Sequence, residues 1–401
     1  MTETTDVIII GAGPAGLSAA FHLQEHDIDF ILLAREALAC EYKTCGGFIP
    51  ARALREFDIK IPPNFQEITS VRMKFPSLDA VAVDFGRQVG FNTTRKALGE
   101  RMVEPLRNKT SIMRMKTTAT AVSESREFVD VSVERYSQRE VLRARILIDG
   151  SGANPVSVKS GAVRKRIPNT KMGYGVQYLL RTKGLDAAFS STNEFFYGHE
   201  FSPGGYTWVF PRKHEVVVGT GGLVARVRES DKRPIDYLDY LLREGESTKT
   251  ELRDAEIIKT DAAVMPLAGI VTPSYSRRIM LAGDAAGHCS PITGEGIYYS
   301  MVGGRIAAET AIASLDRKDE ILDLSGYEKE WKKAIGSDLR WGQWLQKRLA
   351  SSGSSQLGAR FLKSEKSHRT IAEMLVGERS VISAIKKIAP GYLWSKVRTS
   401  F

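Results

Sequence analysis

Residues 6–16 read DVIIIGAGPAG, and this stretch restricts the fold more than any other part of the chain. Val7 to Ile10 are four β-branched residues in a row, the signature of a strand covered on both faces, as in a parallel sheet. The turn that follows has glycines at Gly11, Gly13 and Gly16. The first permits a tight turn, the second lets the backbone approach a pyrophosphate, and the third lets helix and strand pack closely. Ala15 sits in the same turn, LSAAFHLQEH then reads as a helix, and DFILLA as a second strand, completing a β-α-β unit. The pattern predicts an α/β chain with a Rossmann-type domain and a dinucleotide at the start of the first helix. The acidic residue expected roughly 18–20 positions after the third glycine falls at Ala34. Glu36, next to Arg35, or the backbone at Ala34 is left to hold the ribose.

The identity of the dinucleotide is decided far downstream, in IMLAGDAAGHCSPITGEGI, residues 279–297. An apolar strand ends at Gly283 and Asp284, and a second glycine pair, Gly294 and Gly296, opens a helix at Ile297. An aspartate there suits a polyol chain, and a helix N-terminus stabilises the negative charge of a reduced flavin. Together the two anchors point to FAD; alone, the second is a strand-to-helix turn.

Residues 204–222, GGYTWVFPRKHEVVVGTGG, place Tyr206, Trp208 and Phe210 on one side of a strand that ends at Pro211. Two readings stand: an aromatic wall for a ligand, or a core strand whose rings pack on the rest of its sheet. Alternation recurs over 71–90 and 172–222, which predicts antiparallel strands. The expected layout is an FAD-binding domain over 1–70, 88–165 and 272–320, with an antiparallel-sheet substrate domain over 71–87 and 166–271. Residues 321–401 form a helical C-terminal region, hinged at SSGSS, 351–355.

At 401 residues, 42% of them hydrophobic, the chain can bury a large core. No apolar run approaches the ~20 residues that span a bilayer, and no signal-peptide pattern opens the chain, so a cytoplasmic protein is expected. Three cysteines, Cys40, Cys45 and Cys289, are too few for a disulfide framework and lack metal spacing, so no metal is expected. From residue 340 onward stand twelve Lys or Arg against three Glu, +9 of the chain's net +10. Interleaved apolar residues suit peripheral contact with an anionic membrane or an acidic protein, and nucleic acid is disfavoured.

The two anchors, Arg95 in NTTRKALGERM and Asp149-Gly150 in LIDGSGANP resemble the flavoprotein fold of aromatic hydroxylases and prenyl reductases, over residues 1 to about 320. The resemblance implies that Arg95 contacts FAD and that the strand at Ala119 passes the adenine. Tyr206, Trp208, Phe210 and Pro211, followed by Gly219 and Gly221, match the YxWxFPx7GxG pattern of geranylgeranyl reductases. TCGGFIP, with Cys45, Gly46 and Gly47, is similar to the CGG loop of that family. The resemblance implies FAD-dependent reduction of isolated C=C bonds in a long isoprenoid chain. Tyr206 to Pro211, Gly219 and Gly221 would line its tunnel across the flavin, with Cys45 or Tyr206 as catalytic groups. Ferredoxin, itself acidic, or NAD(P)H would be the outside reductant.

Three rivals remain open. Cys40 and Cys45 have the CxxxxC spacing of pyridine nucleotide-disulfide flavoproteins, although no second dinucleotide turn accompanies them. An aromatic monooxygenase would share the fold without the CGG loop. A pure electron-transfer flavoprotein would use the basic tail for docking, so truncation before residue 340 would leave flavin binding and prenyl turnover intact.

Overall fold

A computed structural model describes residues 3–41, 43–62, 64–76, 78–106, 112–316, 322–350 and 364–388. The chain divides into two compact units, each of three segments: 1–43, 94–172 and 264–339; and 44–93, 173–263 and 340–401. The first division falls at residue 43, so 44–70, expected with the FAD-binding domain, belong to the second unit. The C-terminal region is likewise shared: 321–339 go with the first unit and 340–401 with the second. SSGSS lies outside the described residues.

The first unit is built on the strand Glu3–Ile10, which pairs in parallel with Phe30–Leu33 on one side and Gln138–Asp149 on the other. Ile112–Arg114 and Ile279–Leu281 extend the parallel sheet. Val7 to Ile9 are fully buried, as a strand covered on both faces must be. The first half of Gln138–Asp149 pairs antiparallel with Val129–Arg135, which in turn pairs with Thr118–Glu124. The connection from Glu3–Ile10 to Phe30–Leu33 is the helix Pro14–Glu25, with proline in its first turn, where no backbone N–H is missed. The helix Ile297–Leu315 packs on it at Gly304, whose added Cβ would stand 2.0 Å from the Ala15 carbonyl oxygen.

The second unit carries a seven-stranded sheet ordered Glu256–Pro266, Met172–Arg181, Glu215–Leu223, Gly205–Pro211, Thr192–Tyr197, Ser70–Lys74, Val81–Asp84. Most pairs are antiparallel, but Ser70–Lys74 runs parallel to Thr192–Tyr197, because these neighbours come from different chain segments rather than one hairpin. One face packs Val209, Val216 and Val218 against Leu238 and Leu241 of the helix Pro234–Glu244. The other face carries the aromatic rings, and Ala372, Leu375 and Val376, in and just after the helix Glu365–Leu375, close that cluster. Arg369, Arg379 and Lys387 turn to Glu373, at 3.6, 2.6 and 3.7 Å. The tail is therefore part of the unit's core, and truncation before residue 340 removes buried side chains along with charge.

Candidate functional site

In the first unit the fingerprint glycines are held by close approaches. Gly11 has a φ of +100°, and an added Cβ would meet the Gly150 carbonyl oxygen at 2.5 Å. A Cβ on Gly16 would sit 1.9 Å from the Gly11 carbonyl oxygen. Gly13 differs, because its Cβ position faces open space with no atom within 4 Å. It caps the helix Pro14–Glu25 without a side-chain acceptor, and no acidic residue stands in the first turn. The first N–H groups of that helix thus face room beside a positive dipole end, the arrangement that receives a pyrophosphate.

The downstream anchor meets this turn. Gly283, at φ +64°, lies against Ala15 and Ser300, each 3.0 Å from its missing Cβ. Asp284 accepts a hydrogen bond from Lys43 at 2.7 Å, and its other carboxylate oxygen is 3.6 Å from the Cβ position of Gly296. Gly296 caps the helix Ile297–Leu315, also without a side-chain acceptor or an acidic first turn. Gly294 takes φ +67° in a loop closed by the backbone bonds Ser290 N to Glu295 O and Gly294 N to Ser290 O.

Arg95 opens the helix Arg95–Val103, capped by Thr94, and its buried Nε has no hydrogen-bond partner among the described residues. An orphaned guanidinium nitrogen, an open glycine and two uncapped helix starts fit an anionic dinucleotide with a polyol link, which is FAD. Ala34 directly follows its strand, with N–H bonded to Arg114 O and C=O to Thr117 N, while Arg35 pairs with Glu36 at 2.6 Å. Ala119 packs on the sheet core opposite Val133. Cys40 is buried, its thiol directed to the Ala12 carbonyl at 3.4 Å, and all three cysteines are free thiols.

In the second unit three motifs converge on Trp208. Cross-strand pairing sets it opposite Gly219 and sets Tyr206 opposite Gly221. The indole lies on Gly219, whose Cβ would stand 2.2 Å from Cζ2 and 2.8 Å from Nε1, and the same Nε1 corner stands 3.1 Å from the Cβ position of Gly46. Phe210 also closes on Gly46, 2.7 Å from the same Cβ position. The GxG pair and the CGG loop thus both close on the Trp208 ring. Around it stand Phe195, 5.6 Å from Tyr206 and 5.4 Å from Phe210 between ring centres, and Tyr197, 5.8 Å from Tyr206. Burial, with Tyr206 adjacent, pushes the Tyr197 phenol up, so it stays protonated.

Arg212, directly after Pro211, was not singled out from the sequence, yet it holds the CGG loop. Its Nη2 donates to the Cys45 and Gly46 carbonyls at 3.4 and 3.2 Å. Burial pulls its basicity down, opposed by Cys45 and Glu215. Gly47, at φ +91°, passes so close to Thr93 and Arg212 that a side chain there would clash. The buried amides of Asn92 and Asn193 bond each other at 2.7 Å, and Asn92 also donates to the Pro211 carbonyl at 2.7 Å, fixing the end of the aromatic strand. FPRK could have suggested Arg212; nothing local marks the asparagines.

Residues 4–55 match the family model for an FAD binding domain, and residues 172–264 that for a geranylgeranyl reductase catalytic domain. A digeranylgeranylglycerophospholipid reductase of Methanocaldococcus jannaschii is 28% identical over 355 residues, covering 86% of this chain and 88% of that protein. A second enzyme so named, from Methanopyrus kandleri, is 27% identical over 391 residues, 96% of this chain and 95% of its own. A solved geranylgeranyl bacteriochlorophyll reductase-like protein of Thermoplasma acidophilum has a TM-score of 0.84 at 21% identity, with 100% of each chain covered. A flavin-dependent brominase gives 0.76 at 15% identity over 99% of this chain and 100% of its own. At such identities these two structures speak for the fold alone. Fold and site together define an FAD-dependent oxidoreductase. Within that class the chain is similar to geranylgeranyl reductases over most of its length, and the disulfide and monooxygenase readings are not favoured.

Proposed function

We propose that the protein saturates isolated C=C bonds in the geranylgeranyl chains of a membrane lipid, the substrate class named for its relatives. FAD, when bound and reduced, supplies a hydride to one alkene carbon; the other carbon takes a proton, so each bond gains two hydrogens. The carrying observation is that the CGG loop and the GxG strand both close on the Trp208 ring.

A polyene has no charge to grip along its length, so it is held by apolar area, at roughly 25 cal/mol per Å2 removed from water. Tyr206 and Trp208 are only half-buried within their cluster, while Phe210 is buried. The first two thus have area left to offer a flat chain at little entropic cost. The same dry surface excludes water from a slow hydride acceptor. Cys45 and the Tyr206 phenol are the candidate proton donors, and Arg212 keeps the Cys45 loop in place. Among the described residues no helix is long and apolar enough to cross a membrane. A membrane-lipid substrate would bring the enzyme to the membrane surface.

The test is anaerobic: reduce the flavin, add geranylgeranyl diphosphate or a geranylgeranylated ether lipid, and follow flavin absorbance and substrate mass. Mass gains in steps of two hydrogens support the reading. No gain, with flavin reoxidised by oxidised glutathione, overturns it in favour of cysteine redox chemistry.

A further inference from the structure

Residues 159–171, KSGAVRKRIPNTK, hold five Lys or Arg and no acidic residue. They follow the short helix Val156–Lys159 in the FAD-binding unit and end in the turn Asn169–Lys171. Lys159, Lys165, Arg166 and Lys171 are exposed, and none has an ion-pair partner among the described residues. The described tail differs, since three of its cations are held by Glu373.

Arg164 alone turns inward, donating to the Ala285 carbonyl at 2.7 Å, one residue past Asp284. Burial lowers its basicity, and Asp149 opposes that shift. Val163 packs against Leu281, Ala285 and Ala286, and the Ser160 hydroxyl accepts from Val122 N at 3.0 Å. The basic segment is thus pinned to the strand end that carries the downstream flavin anchor.

Each saturated bond takes two electrons from FAD, and these must be restored by a reductant from outside the chain. We propose that residues 159–171 are the docking surface for an acidic electron-carrier protein, which is oxidised as the flavin gains two electrons and takes up protons from solvent. This rests on the flavoprotein reductase reading above. Charge complementarity favours an acidic protein, and it favours it over lipid because no large apolar side chain of the segment is exposed for insertion.

The test uses the full, FAD-loaded chain without prenyl substrate, and anaerobic stopped-flow mixing with a dithionite-reduced acidic ferredoxin as probe. In K165E/R166E the second-order rate of flavin reduction should fall about tenfold or more at low salt, and the salt dependence seen in wild type should flatten. Binding of the oxidised ferredoxin to apoprotein should weaken in parallel, while flavin content and photoreduction hold. K347E/R348E, in the tail, should leave the rate unchanged. A rate within about twofold of wild type overturns the proposal. So does an unchanged rate with lost sedimentation on phosphatidylglycerol vesicles, which assigns the segment to lipid, or a selective loss of reduction by NADPH. Failure of the prenyl reading would appear separately, as absent mass gain with this rate intact.

Discussion

Trp208 lies across Gly219 on the neighbouring strand, 2.2 Å from where a β-carbon would stand. Gly219→Ala must therefore displace the indole, an overpacking that costs about 1–3 kcal/mol. Prenyl turnover should fall at least about tenfold, since small misplacements near a reacting centre carry large rate penalties. Flavin content should hold, because the fingerprint and Asp284 lie in the other unit. Wild-type turnover with an unchanged melting temperature would show that the ring's seat is irrelevant to catalysis.

Gly13 and Gly16 separate ligand room from packing room. Gly13→Val points into open space, so apoprotein stability should stay within about 0.5 kcal/mol while flavin is lost on purification. Gly16→Ala collides with the Gly11 carbonyl and should destabilise the apoprotein itself. Denaturant melts of apoprotein, set beside flavin absorbance, check both. Full flavin retention by Gly13→Val would remove that position from the cofactor site.

His288 is fully buried against Trp331, with ring centres 4.8 Å apart, and neither ring nitrogen has a hydrogen-bond partner among the described residues. Burial lowers its pKa from 6.5 to about 3, opposed by Asp284. The unfolded chain therefore binds a proton that the folded chain refuses. Stability is lost as pH falls from about 6.5 toward 3, by about 1.4 kcal/mol per unit. His288→Phe forfeits no hydrogen bond, so between pH 7.5 and 5 it should gain about 2 kcal/mol on wild type in urea melts. An equal gap at both pH values would mean that His288 is not the titrating group.

Leu375 is 6% exposed in the cluster that includes Phe195 and Phe210. Leu375→Ala should cost about 2–5 kcal/mol and lower prenyl turnover, whereas a tail serving only as a tether would tolerate it. Thermal melting and turnover of the same preparation decide the matter.

Both glycine-rich turns were legible in the sequence because each is local: strand, glycines and helix start follow one another within twenty residues. YxWxFP and GxG were visible too, but their relation was not. Gly219 and Gly221 were expected to touch substrate, while hairpin register makes them the floor under Trp208. Asn92 and Asn193, 101 residues apart, could not be paired without the sheet. Net charge pointed to the tail, since a sum over sequence does not see Glu373 gathering three cations or leave any mark on residues 159–171.

The central strand of the FAD-binding unit also sets a schedule. Asp6 and Arg145, on paired strands, form an ion pair across 139 residues of chain. At roughly 5–20 residues per second of synthesis, the first strand waits on the order of ten seconds for its inner neighbour. During that time the apolar run Val7 to Ile10 has only Phe30–Leu33 to pair with, leaving one edge open. Nascent chains paused before residue 149 should hence be the ones that recruit chaperones, and release past that point the step that frees them.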